Sequence, residues 1–238
     1  MMQDGELTFG NVVEGTFSTF ARNAQPFGLY VAIVTFLGVA VEWGLPNLTG
    51  GITSFYGEEI LTSLGLSVGI IGIVLFLAFI IAQYVLWQAV LRQERLGTNF
   101  ADGRYLAFFG QSLLASLGIG FATVFLIIPG LIVAARWSMA PAFLIGNNDG
   151  VIDALGESWD TVSGNTTPIV LALLAGFVGT WLLSTGLVTS GLGYFGSLIS
   201  TTMEHVVSNL STVLMIAMGV YLFKALVSSS EQISEVFE

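Results

Sequence analysis

Residues 125–137, FLIIPGLIVAARW, lie inside a run from Leu106 to Ile145 that is almost wholly apolar. The stretch nevertheless carries a proline, a glycine and an arginine, three residues that such a run normally excludes. Read as one helix, the run would be about 60 Å long at ~1.5 Å per residue. That is twice the roughly 30 Å hydrocarbon core of a bilayer. The chain must turn. Pro129 lacks an N–H and clashes with the preceding turn, and Gly130 tolerates the positive φ of a tight reversal. The pair predicts a helical hairpin that reverses at Pro129-Gly130, with a kinked single span as the alternative.

The bilayer enters this reasoning through composition. Of the 238 residues, 54% are hydrophobic and 9% charged, and the mean hydropathy is +0.85; soluble domains carry roughly 25% charged residues. The expected fold is all-α, a polytopic membrane helix bundle forming one integral membrane domain over 1–238. Six transmembrane helices are read at 27–43, 66–91, 106–128, 130–145, 169–187 and 210–227, the fourth shorter than the usual span of about 20 residues. Two amphipathic interfacial helices are read at 7–24 and 150–163. There is no cysteine, which excludes disulfides, thiolate metal sites and cysteine nucleophiles. The start, MMQDGELTFG, lacks the basic and apolar regions of a signal peptide, so the N-terminus is expected to be retained.

With a hairpin at 129–130, Arg22, Arg92, Arg95, Arg104 and Lys224 fall on one face, while the connections near 44–65 and 188–208 contain no Lys or Arg. Basic residues gather on the cytoplasmic side. Both termini are therefore expected in the cytoplasm, with the protein multi-pass in the cell (inner) membrane. The net charge of −10 leaves this orientation unchanged, because acids contribute little to the rule. It argues against nucleic acid as a partner and against a polybasic lipid anchor.

Arg136 falls within the fourth span, where an arginine near the bilayer centre costs about 2.5–3.5 kcal/mol on insertion scales. It needs a partner or a route to water. One reading makes it the lining of an anion or substrate path; the other makes it a snorkelling or internally paired structural residue, and the second is preferred. Glu42 is the expected ion-pair partner if the hairpin tip reaches the outer face, with Asp153, Glu157 and Asp160 as further acids.

Those three acids belong to DGVIDALGESWDTVSGN, residues 149–165. At helical spacing Val151, Ile152, Leu155, Trp159 and Val162 share one side and the acids the other, so the segment reads as an amphipathic helix docked on the protein's own bundle. Asp149 is the expected N-cap and Gly164-Asn165 the stop. The N-terminal stretch 7–24 has the same character, with Phe9, Val12, Val13, Phe17 and Phe20 spaced helically before Pro26.

Residues 126–165 carry a hydrophobic-Pro-Gly turn (Pro129, Gly130), an Arg-Trp pair (Arg136, Trp137), then a small amphipathic helix with Ala154, Ser158 and Trp159 that ends at Gly164. This pattern resembles bacterial and archaeal six-span proteins related to the glycerophosphoryl diester phosphodiesterase membrane domain. The resemblance spans about forty residues by motif and most of the chain by span pattern. It implies a fold and a membrane location; the phosphodiesterase catalytic domain is absent, so no activity is carried over.

Chemistry-bearing motifs are sparse. His205, the sole histidine, reads as a surface residue of an outer loop without metal-ligand spacing. No cofactor is expected, and no catalytic, cofactor-binding or metal residue is assigned. Gly65 and Gly69, and Gly176 and Gly179, have spacings that suit close helix approach. Beyond the lipid bilayer, the partners left open are another membrane protein or a second copy of the chain. The preferred function is a non-enzymatic component of envelope or lipid homeostasis, or a scaffold. The alternative is a small transporter or channel with Arg136 lining the path, which would show several polar groups along a route.

Overall fold

The computed structural model describes residues 7–44, 61–100, 102–189 and 197–237. Among them the chain is helical, without strands. Helix α1 (Phe9–Arg22) is capped by the Thr8 hydroxyl, which accepts from the Asn11 N–H. It leads through Asn23 into α2 (Ala24–Val39), which ends in a π-turn, Ala40–Gly44. Then come α3 (Leu61–Gln93), α4 (Tyr105–Phe125), α5 (Ile127–Arg136), α6 (Ala140–Gly146), α7 (Val151–Thr161), α8 (Thr166–Thr189) and α9 (Ser197–Phe237). Among the described residues six segments are long and apolar enough to cross a membrane: Ala24–Glu42, Gly69–Gln93, Tyr105–Phe125, Ile127–Gly146, Thr166–Gly186 and Leu198–Val227. The chain is an all-α, multi-pass membrane bundle.

The prolines set the breaks, but not where the sequence reading placed them. Pro26, Pro129, Pro141 and Pro168 each sit two or three residues into a new helix. A proline removes the hydrogen bond to residue i−4 and clashes with that carbonyl. The preceding helix accordingly stops at Arg22 and Phe125, four residues before Pro26 and Pro129. The expected reversal at Pro129-Gly130 is thus corrected: it falls on Leu126, a single extended residue (φ −163, ψ 143) between α4 and α5. Gly130 is helical and lacks the expected positive φ, which belongs to Gly97, Gly103 and Gly164. Its missing Cβ lets α5 close on Thr123 of α4.

The tight core lies toward one end of the bundle. It comprises Tyr84, Leu86, Trp87, Val90 and Leu91 on α3, nearly all of α6, Ile169 on α8, and Val213, Ile216, Ala217, Val220, Leu222 and Phe223 on α9. At that end Arg22 and Lys224 both bond Glu94, Arg92 bonds Asp102, and Arg104 donates to the Leu144 carbonyl and to Asn148. Gly97 lies against Gly146, and the Asn99 N–H donates to the Gly146 carbonyl at 3.0 Å, fastening the α3–α4 connection to α6. Toward the other end Ile70, Ile73, Val74, Phe121, Val124 and Leu183 face outward.

The two interfacial helices are present, with changes in their buried faces. On α1 the buried residues are Val12, Gly15 and Thr19, against α9, while Phe9 and Phe17 are exposed. On α7 the buried residues are Ala154, Leu155 and Ser158, followed by Val162, whereas Ile152 is exposed. Small residues win the inward face because the helices approach closely there: Gly15 meets the Tyr221 ring and Ser158 meets the α5–α6 backbone. The N-cap of α7 is Gly150, without a side-chain cap, rather than Asp149. Burial, then the neighbouring Asp153, pushes the Asp149 carboxyl up despite Arg104 nearby.

Candidate functional site

The fourth span is not continuous. Between α5 and α6 the chain passes through Trp137, Ser138 and Met139, with Ser138 N–H bonded to the Ala135 carbonyl and Ala140 N–H to the Trp137 carbonyl. Pro141 in the first turn of α6 supplies no N–H to rejoin the ladder. The break frees backbone groups inside the bundle, where each must find a partner.

Ser158 of α7 supplies one. Its Oγ accepts from the Met139 N–H at 3.2 Å and donates to the Arg136 carbonyl at 2.7 Å. One fully buried hydroxyl therefore bridges both sides of the break. Gly219 of α9 admits the Ser138 carbonyl and the Trp87 ring where a Cβ would collide with both.

Arg136 completes a reciprocal arrangement. Near the end of α7 the Ser163 N–H turns to the Asp160 carbonyl as the chain approaches Gly164 at φ +91. The Trp159 carbonyl, one of the final helix carbonyls left without an intrahelical donor, accepts from Arg136 Nη1 at 2.9 Å. The guanidinium carbon stands 5.1 Å from the Trp159 ring centroid, and Trp137 and Trp159 lie 6.2 Å apart, centroid to centroid. A cation at a helix C-terminus is favoured by the helix dipole, and a guanidinium over an indole face by the ring quadrupole. Trp137 packs into the space left by Gly118 of α4. Asn165 then ties in the residues leading into α1, its Oδ1 accepting from the Leu7 N–H at 2.9 Å.

The residues singled out in the sequence thus divide. Arg136, Trp137, Ser158, Trp159 and Gly164 converge on one clasp between the broken span and α7. Pro129 and Gly130 act at the hairpin turn. The expected Arg136–Glu42 ion pair is overturned: Glu42 Oε2 lies 2.9 Å from His205 Nε2. Among the described residues no carboxylate forms a salt bridge with Arg136, and Asp153, Glu157 and Asp160 leave it to the Trp159 carbonyl. Its Nε is buried without a hydrogen bond. The reason is vertical separation: Glu42 lies in the π-turn that follows α2 at the far end, whereas Arg136 is ten residues on from Leu126, about 15 Å back along α5.

Two further polar groupings were not foreseen. His205 is not in a loop but on α9, within an apolar span, its ring beside Gly38; deeper along the same seam Asn209 donates to Thr35 at 3.1 Å, both side chains buried. At the core end Glu94, whose side chain is 6% exposed, receives Arg22 Nε at 2.9 Å, Lys224 Nζ at 2.8 Å and Asn23 Nδ2 at 2.9 Å. Burial alone would raise its pKa, but the bonds from Arg22, Lys224 and Asn23 outweigh that and hold it at about 2. Glu94 joins α1, α2 and α9 to the end of α3. The sequence offered only a basic cluster as a hint of it. Comparison with family models, curated proteins and solved structures finds no match.

Proposed function

We propose that the protein is a non-catalytic component of the cell envelope that serves lipid homeostasis or scaffolding in the inner membrane, with both termini in the cytoplasm. The observation that carries this reading is the commitment of Arg136. The one cation placed deep in the fourth span holds the Trp159 carbonyl and ring, so it serves the fold at the place where a transport path would need a free charge. Orientation rests on the gathering of Arg22, Arg92, Arg104 and Lys224 at one end. Relation to the membrane domain of glycerophosphoryl diester phosphodiesterases is part of the proposal and rests on the 126–165 motif. So is association with a second copy or a membrane protein: among the described residues Gly69, Gly176 and Gly179 meet nothing within 4 Å, leaving room for close approach; Gly65 lies outside the residues whose packing is described.

The test combines two readouts. Cells lacking the protein are expected to change in phospholipid composition or envelope permeability, with recovery on re-expression. Proteoliposomes are expected to pass small anions no faster than protein-free vesicles. Anion flux that vanishes in Arg136→Leu while the protein stays folded would replace this reading with the transporter alternative.

A further inference from the structure

The connection between α4 and α5 differs from an ordinary membrane hairpin in having no polar tip. From Phe121 to Ala134 the only polar side chain is Thr123, and its hydroxyl donates to the Ile119 carbonyl of its own helix at 2.7 Å. Phe121, Val124, Phe125, Leu126, Ile127 and Ile128 are all between 67 and 83% exposed. The exposure runs over five consecutive residues, through the end of α4, Leu126 and the start of α5, while the side where Gly130 meets Thr123 is closed.

Length points the same way. The α4 helix has 21 residues, about 31 Å, measured from Arg104 at the charged end. That about equals the hydrocarbon thickness, and any tilt shortens its reach. Neighbouring α8 and α3 have 24 and 33 residues, about 36 and 50 Å, so both are longer than α4. Pro129 removes one of the unpaired N–H groups that open α5. Those remaining, with the last carbonyls of α4, require water or headgroups within reach. Together these place the turn backbone at the hydrocarbon boundary and its side chains among the chains below.

We propose that the α4–α5 tip is a membrane-seated wedge whose partner is the acyl chains of the far leaflet, and that Leu126 never enters the aqueous phase. This stands on the tip alone and does not depend on the function proposed above.

The chain has no cysteine, which suits single nitroxide labels in proteoliposomes. Labels at Leu126, at Phe177 in the middle of α8 as a lipid reference, and at Thr98 as an aqueous reference are compared for relaxation by oxygen and by a water-soluble nickel chelate. Each variant is first checked for wild-type elution and melting. Leu126 is expected to lie on the lipid side, closer to Phe177 than to Thr98, with high oxygen and low nickel access, and its oxygen-to-nickel ratio should rise in longer-chain phosphatidylcholine. Nickel access like that of Thr98 would overturn the proposal. Low access to both reagents would overturn it equally, since a partner or second copy would then cover the tip.

Discussion

Replacing Arg136 with leucine removes the bond to the Trp159 carbonyl and the stacking on its ring. The charged hydrogen bond is worth about 1.5–3 kcal/mol and the ring contact about 0.5–1 kcal/mol; the helix-dipole contribution largely overlaps the first. Relief of the arginine insertion cost does not offset this loss. The helix stays in the micelle when the bundle melts, so that cost is carried in both states. The expected net loss is about 2–4 kcal/mol, which for a chain of this size lowers the melting temperature by roughly 5–15 °C. Arg136→Lys should fall between, because lysine keeps the charge and loses the planar fork. Glu42→Gln should add to Arg136→Leu without rescue, since Glu42 sits on His205. Melting curves in detergent for the singles and the double decide it. An unchanged midpoint for Arg136→Leu, or recovery on adding Glu42→Gln, would refute the clasp.

Ser158→Ala leaves the buried Met139 N–H without an acceptor, at an expected cost of about 1–3 kcal/mol, and amide exchange at Met139 should accelerate more than at core positions of α9. The folded pKa of Glu94 lies below the usual carboxylate value near 4.5, so its stabilisation is complete above that value and is lost as pH falls toward about 2. Glu94→Gln should therefore lower the melting temperature at pH 7 and flatten its fall over that interval; an unchanged pH profile would show that the Arg22–Glu94–Lys224 group contributes nothing. Gly130→Ala drives a methyl into Thr123 and is expected to cost about 1–3 kcal/mol, with partial recovery when Thr123→Ala is added; absence of recovery would mean that α4 and α5 do not close there.

Much of the architecture was legible because hydrocarbon thickness turns apolar run length into a count of spans, and because breakers are few. The location of each break was not. Proline was read as the turn itself, whereas its steric and hydrogen-bonding effects act on residue i−4, so the chain reverses at Leu126 and α1 ends at Arg22. Amphipathic spacing identified α1 and α7, yet Phe17 and Ile152 point outward. Spacing reports which residues share a face, and the approach distance then selects Gly15, Ala154 and Ser158 for the inner one. Arg136, Trp137, Ser158, Trp159 and Gly164 were marked by their pattern, and their common role appeared only when the break at 137–139 showed which backbone groups lacked partners. Glu42 was assigned to Arg136 because it lies near the outer end of the first span, where the hairpin tip was expected; the pairing with His205 depends on α9 extending back to Ser197, and the polar-rich stretch 197–209 reads as a connection rather than as part of a span.

The whole arrangement depends on the chain reversing at Leu126, so that the fourth span returns α7 to the side occupied by the α3–α4 connection. Single cysteines at Thr98, Ser163 and Thr53, labelled in intact cells with a membrane-impermeant maleimide, test this directly. Thr98 and Ser163 are expected to be protected until the membrane is permeabilised, and Thr53, in the connection between α2 and α3, to react at once. Labelling of Ser163 from outside while Thr98 stays protected would contradict the hairpin and every contact built on it.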